Sequence, residues 1–587
     1  MTATVPGLPT RRAGPAAAVA AAAGPKAWPG AAPGPVSFGV PGARLRGWWH
    51  PGNGRRAQVV VLCDTVGPEQ IASYRANRHL ALQIAAQGWP VLRFDLPGCG
   101  ESDDRNDVAH QLLAWQQGLA EAVAFAQAQA GVRPVVLWGL RLGALLAGHW
   151  AEQAGGDVAG LVAWLPAAQG KRFLRELRLV ASSRHLDARP DADGAVQCGG
   201  YRFDPATTQA LMAWPAPAPS PCPTLWVDEP DALLHAADTP DQVERLACAG
   251  LADGLHPPFP PAWPDATVAG TLSWLARLPA PAPGLPDAAA AVPPPPAEDP
   301  ADGQQVVRLL AGTPAGRELV ATVHWPAAGA APLPAVLILP TGAGHRIGPD
   351  RLWVPWSREA AALGSLVMRL DFAGLGDSEA HPSQPEGTVY LRDHGQDVAA
   401  ALRWLRARPE GRQVAVLGLC SGAHHGLKAL AEGLQAEALW LVNPPPLRPM
   451  TDAELNRLVL ARGQAGLGRW RAALQRRWQR GQRALGRLQR GLRRGLQRPQ
   501  ADDAAVQLRQ LADRGTSVCI LHAAVENTAA DVRRETGRTG RALLARGALR
   551  LLTIPDGDHM FQAPGPRRTL FDLLLSLLAT TARLPAR

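Results

Sequence analysis

One twelve-residue segment occurs twice in this chain, and that repetition limits the fold more than any other feature. Val91-Leu92-Arg93-Phe94-Asp95-Leu96-Pro97-Gly98-Cys99-Gly100-Glu101-Ser102 aligns without a gap with Val367 through Ser378. In both places an apolar run reads as a buried strand and stops at an aspartate followed by a Gly-rich turn. The elements around each occurrence follow in the same order, so the chain is an internal duplication. With 587 residues there is room for two domains of ordinary size, each with its own core. Residues 1–35 read as a disordered Pro/Ala/Gly arm. A second Pro/Ala-rich stretch, residues 279–303 with Pro293 to Pro296 inside it, reads as an extended linker. The expected domains are residues 36–278 and residues 304–587, both α/β with a mostly parallel central sheet flanked by helices.

In the second copy, Gly418-Leu419-Cys420-Ser421-Gly422 follows the apolar run Val414 to Leu417 and precedes a helix-compatible stretch from Ala423. A small-x-nucleophile-x-small sequence at a strand-to-helix turn makes Cys420 the candidate nucleophile, because the flanking glycines let the strand and helix backbones approach closely. Downstream, Glu526 follows the strand-like Val518 to Leu521, and His559 follows the apolar run Leu551 to Ile554. Nucleophile, acid, histidine is the chain order of an α/β-hydrolase triad. In such a triad His559 moves the proton and Glu526 fixes the imidazole tautomer, with Asp531 a competing acid. A final helix is expected over Leu570 to Leu578. The turn after the strand Ala335 to Leu339 can aim the N–H of Thr341 or Gly342 at the same point as the N–H of Ser421, forming an oxyanion hole. The turn Asp371 to Ser378 reads as structural.

The first copy carries Gly139-Leu140-Arg141-Leu142-Gly143 at the matching elbow. Arginine stays protonated and cannot accept an acyl group. Asp253-Gly254-Leu255-His256 echoes the histidine loop, and either Asp228 or Asp231 matches the acid. Arg141, Asp231 and His256 therefore mark a degenerate site. It serves either as a scaffold or as an anion site centred on Arg141.

The formal net charge is +10, but residues 455–500 alone hold thirteen arginines and no acidic residue. The remainder of the chain is net acidic. This basic insertion falls inside an expected helical cap at about residues 445–512. Within it Leu467, Trp470, Leu474 and Trp478 recur at helical spacing, with arginine on the other faces. An anionic membrane surface or a polysaccharide fits such a cap, and nucleic acid does not, because no reader motif accompanies the charge. No run reaches the length of a membrane span. The seven cysteines are scattered, without metal-type spacing, which favours a reducing compartment and leaves no metal or other cofactor implied.

These motifs support a resemblance. Through Gly344 to Leu352, Arg369 to Ser378, the Cys420 elbow and Asp558-His559, the second copy resembles α/β-hydrolases of the serine-aminopeptidase-like, exopolysaccharide-associated kind. Through Leu92 to Gly100 and Gly139 to Ala144, the first copy is similar to the hydrolases associated with exosortase A systems. The resemblance implies a bacterial cytoplasmic protein, peripheral to the inner membrane, that works near polysaccharide export or surface-protein sorting. The expected activity is hydrolysis or acyl transfer on an acyl ester or thioester, small or carried on a glycan or lipid. The alternative is a non-catalytic assembly factor.

Overall fold

The protein is described here from a computed structural model covering residues 32–52, 56–105, 107–183, 194–218, 222–234, 242–255, 262–279, 303–311, 316–380, 385–390, 394–447, 454, 504–526 and 528–584. Residues 1–31 of the expected arm, residues 280–302 of the linker, most of the expected cap with its arginines, and His256 lie outside these residues.

The first copy contains β1 (Gly34–Phe38), β2 (Leu45–His50), β3 (Val59–Cys63), β4 (Val91–Phe94), β5 (Val135–Leu140), β6 (Val158–Trp164), β7 (Val196–Cys198), β8 (Tyr201–Phe203), β9 (Thr224–Asp228) and β10 (Val243–Ala247). The second contains β11 (Gln304–Ala311), β12 (Arg317–His324), β13 (Leu333–Leu339), β14 (Ser365–Leu370), β15 (Val414–Leu419), β16 (Ala438–Val442), β17 (Ser517–Ala523) and β18 (Leu549–Ile554). Each copy forms one eight-stranded sheet. The orders are β1-β2-β4-β3-β5-β6-β9-β10 and β11-β12-β14-β13-β15-β16-β17-β18. In each sheet the second strand is antiparallel to both neighbours and the pairings beyond it are parallel. The β7–β8 hairpin stands apart, so the two sheets are topologically identical. Both copies have the α/β-hydrolase fold.

Burial explains why the central strands read as unbroken apolar runs. In β3, Val59, Val61 and Cys63 face one layer of helices while Val60 and Leu62 face the other. In β13, Ala335, Leu337 and Leu339 oppose Val336 and Ile338 in the same way. A parallel strand covered on both faces needs no polar alternation. The last helix runs Pro564–Thr581, starting earlier than the apolar stretch Leu570 to Leu578 suggested. Pro564 lies in its first turn, where a missing N–H costs nothing. The first strand likewise begins at Gly34, two residues ahead of the expected boundary.

The twin turns do more than close their strands. They are where the copies meet. Arg93 Nη2 donates to Asp377 Oδ1 at 2.7 Å, and Arg369 Nη2 donates to Glu101 Oε2 at 2.5 Å. Arg93 and Arg369 are equivalent positions, as are Glu101 and Asp377, so the pairing is reciprocal, as at an isologous dimer interface. Arg346 joins the same network through Asp371, Asp377 and Glu101. Tyr74 adds a hydrogen bond to Asp377.

Candidate active site

Cys420 heads the helix Ser421–Ala431 with φ 52° and ψ −114°, a conformation L-residues rarely adopt. Two glycines allow it. A Cβ on Gly418 would sit 2.2 Å from the Gly422 carbonyl carbon, and a Cβ on Gly422 would sit 2.7 Å from the Pro340 oxygen. The Cys420 N–H donates to Val442 O, tying the elbow to β16.

His559 Nδ1 lies 2.7 Å from Glu526 Oε1, and the imidazole also hydrogen-bonds Cys420. Burial alone would lower the histidine's pKa. Its hydrogen bonds to Cys420 and Glu526, with the charge on both, outweigh burial and bring it up to about 9. The structure therefore brings together Cys420, His559 and Glu526, which are far apart in the chain. Asp531 instead pairs with Arg534 at the start of the next helix.

The histidine loop is held by a residue that the sequence reading passed over. Asn443, at the end of β16, has φ 40°. Its Nδ2 donates to His559 O at 2.8 Å and its Oδ1 accepts from Ala523 N–H at 2.8 Å. One side chain thus ties the histidine loop to the end of the acid strand. The available signal was an asparagine directly after a strand and before Pro444, a residue type that tolerates positive φ. Asp558 completes the loop by accepting from the N–H groups of Met560 and Gln562.

The oxyanion candidates are arranged differently from expectation. Gly342 N–H donates to Ser421 Oγ at 2.7 Å, so the serine hydroxyl occupies that donor. The expectation counted backbone donors and did not allow for a side-chain hydroxyl beside them. Thr341, directly before Gly342, and Ser421, directly after Cys420, remain the other two candidate donors. The Ser421 group is one of the helix-leading donors that have no intrahelical acceptor.

In the first copy, Arg141 has φ 55° and ψ −114°, nearly the angles of Cys420. The strained elbow persists without a nucleophile. Arg141 Nε lies 3.3 Å from Glu69 Oε1, and Nη2 pairs with Glu176. Two carboxylates already occupy this guanidinium, which counts against its service as an anion site. Asp228, half-buried at the end of β9, bonds the Glu229 N–H and the Trp226 indole, whereas Asp231 is exposed.

An open depression of about 170 Å³ adjoins Glu526, lined by Pro444 to Leu447, Val525, Thr528, Asp531 and Val532. Among the described residues, no group of three or more His, Cys, Asp or Glu side chains is placed to hold a metal ion. No described helix is long and apolar enough to cross a membrane.

A family profile described as serine aminopeptidase, S33, matches residues 58–192. The match lies on the copy whose elbow holds Arg141, whereas the sequence reading attached that resemblance to the copy with Cys420. Among curated proteins none matches the chain. Similar solved structures include an α/β serine hydrolase without a lid from Xanthomonas campestris, at 16% identity and TM-score 0.29, covering 48% of this chain and 96% of its own. An esterase of Pyrococcus furiosus matches at 15% identity and TM-score 0.33, covering 49% of this chain and 95% of its own. A puromycin-hydrolysing peptidase of Mycobacterium tuberculosis matches at 18% identity and TM-score 0.31, covering 48% of this chain and 40% of its own.

Proposed function

We propose that the chain is a hydrolase or acyltransferase whose chemistry is carried by the second copy, through Cys420, His559 and Glu526. The observation that carries this reading is a single imidazole hydrogen-bonded both to a cysteine on a strained elbow and to a carboxylate. A histidine whose pKa is raised to about 9 by those two partners favours a thiolate–imidazolium pair at neutral pH.

In this mechanism Cys420 Sγ attacks the carbonyl carbon of an ester or thioester, and the carbonyl π pair moves onto oxygen. Backbone N–H groups at Thr341 and Ser421 are the proposed donors to that developing charge. His559 donates its proton to the departing oxygen or sulfur as the bond to carbon breaks, leaving an S-acyl enzyme. Water, or an acceptor hydroxyl, then attacks the thioester while His559 takes its proton. The products are a carboxylic acid or a new ester, with the thiolate restored. Glu526 stays ionised throughout and holds the Nδ1 proton in place.

The first copy is proposed to be catalytically inert, since Arg141 stands at its nucleophile position and is neutralised by Glu69 and Glu176. Acyl groups on glycan or lipid carriers are the proposed substrate class, with the arginine-rich residues 455–500 recruiting an anionic carrier or membrane surface. The resemblance to exopolysaccharide- and exosortase-associated hydrolases supports a cytoplasmic role at the inner membrane. Turnover of activated acyl esters and thioesters by wild type, lost in a folded Cys420→Ala chain, is the expected result. Equal turnover by both chains would refute the reading.

A further inference from the structure

The loop from Pro340 to Leu352, which carries candidate oxyanion donors, is tied to its own copy through Thr322, Asp371 and Ser421 and is gripped on its other side by the first copy. Tyr74 stacks on His345 with ring centroids 3.8 Å apart and planes 11° from parallel. His345 is buried, and neither of its ring nitrogens has a hydrogen-bond partner, so ring contact is what orients it. Its pKa is pushed down to about 3, by burial first and by Arg346 next, so the stacked ring is neutral.

One residue further on, Arg346 Nε lies 3.1 Å from Glu101 Oε1. Ile347 is fully buried in a small cluster with Ile71 and Tyr201 of the first copy. Arg351 donates through Nε to Gly100 O at 2.9 Å and through Nη2 to Ser102 O at 2.6 Å. Asp350 and Arg351 both have positive φ, 50° and 59°, a strained pair that persists only where surrounding contacts fix it. On the far side, Gln562 of the histidine loop bonds Asp350 Oδ2, and Arg567 links Asp350 O to Gly200 O of the first copy.

We infer that the first copy, although it lacks a nucleophile, serves as a positioning domain that holds the oxyanion loop of the second copy in its working geometry. Tyr74, Glu101 and the Gly100 to Asp104 turn are positioning residues in this account. They act through His345, Arg346 and Arg351 and touch no reacting atom. The duplicated fold is thereby one catalytic unit. The kinetic part of this inference rests on the proposed function above. The structural part does not.

The test uses the full chain and its Tyr74→Leu and Tyr74→Phe forms. Hydrogen exchange is read at residues 341–347 and, as an internal reference, at residues 414–431. In wild type, residues 341–347 should exchange slowly, as part of the core. Tyr74→Leu should raise their exchange at least tenfold and leave residues 414–431 unchanged, while Tyr74→Phe, which keeps the stack, should behave as wild type. Turnover should fall about 10- to 100-fold in kcat for Tyr74→Leu with KM nearly constant, because a displaced oxyanion donor weakens only the transition state. Alkylation of Cys420 by iodoacetamide needs no oxyanion hole and should keep its rate. Fast exchange at residues 341–347 in wild type would overturn the inference without any variant. Wild-type exchange and kcat in Tyr74→Leu would overturn it as well. Turnover that survives Cys420→Ala would instead refute the proposed chemistry and leave the exchange result to decide this inference alone.

Discussion

The guanidinium of Arg369 reaches the carboxylate of Glu101 at 2.5 Å across the junction of the two copies, and both side chains are withdrawn from solvent. Burial raises the glutamate's pKa, but the charges of Arg369 and Arg346 outweigh it and hold the carboxyl well below its usual range. A buried charge network of this kind costs most when one member is removed, because the survivors stay buried without compensation.

Glu101→Ala is accordingly expected to destabilise the protein by about 3–5 kcal/mol, since it leaves the buried Arg369 without its carboxylate partner, while Arg346 keeps Asp371 and Asp377. Urea midpoints of the Glu101→Ala and wild-type chains measure this. An apolar double replacement, Glu101→Leu with Arg369→Met, should recover a large part of the loss. A midpoint for Glu101→Ala equal to that of wild type would mean the junction is not a buried ion network.

His559 sets the pH behaviour. Its folded pKa of about 9 exceeds the ordinary value of 6.5, so the stabilisation it provides is complete below about 6.5 and is lost as pH rises through about 9. Turnover should decline above about pH 9, when no proton remains for the leaving group. Alkylation of Cys420 at pH 6.5 should stay within a few-fold of its rate at pH 8.5, whereas an ordinary thiol of pKa near 8.5 slows markedly over that interval. In Glu526→Gln or His559→Asn the rate should return to ordinary thiol behaviour. Rate against pH for the three chains gives the answer.

Asn443→Ala removes both ties of the histidine loop, to His559 O and from Ala523 N–H. The expected cost is about 1–3 kcal/mol in stability, for buried groups left unsatisfied. A fall in kcat of roughly 10- to 100-fold should accompany it, as the imidazole loses its alignment with Cys420. Thermal denaturation and steady-state kinetics separate the two effects.

Gly422→Ala places a methyl 2.7 Å from Pro340 O and 3.0 Å from Leu339 O. The elbow helix and the start of the oxyanion loop must then move apart. Turnover should drop at least 100-fold by the same misalignment argument. Circular dichroism should remain near wild type, since the clash is confined to one end of the sheet.

Much of this architecture was legible in the chain because it is written in local patterns. The twin segments Val91–Ser102 and Val367–Ser378 announced the duplication, and apolar runs beside Gly-x-Cys-x-Gly placed the elbow. Glu526 and His559 were chosen as candidates by order and strand context alone, and the two side chains lie 2.7 Å apart. The junction was not legible. Arg93 and Asp377 are separated by 284 residues, and a long-range pair leaves no periodicity in either local sequence. The same turn chemistry that closes a strand also binds the other copy, so a structural reading of Asp371 to Ser378 described only half its work. Asn443 and the Ser421 hydroxyl escaped for a related reason. Their roles depend on side-chain direction at positive φ or at a helix start, which spacing does not encode.

A covalent acyl intermediate on Cys420 is visible by intact mass spectrometry. Wild type incubated with activated acyl esters and thioesters should gain the mass of one acyl group, mapped to the peptide holding Cys420 and absent from Cys420→Ala. No adduct on wild type while substrate is turned over, or an equal adduct on Cys420→Ala, would contradict it.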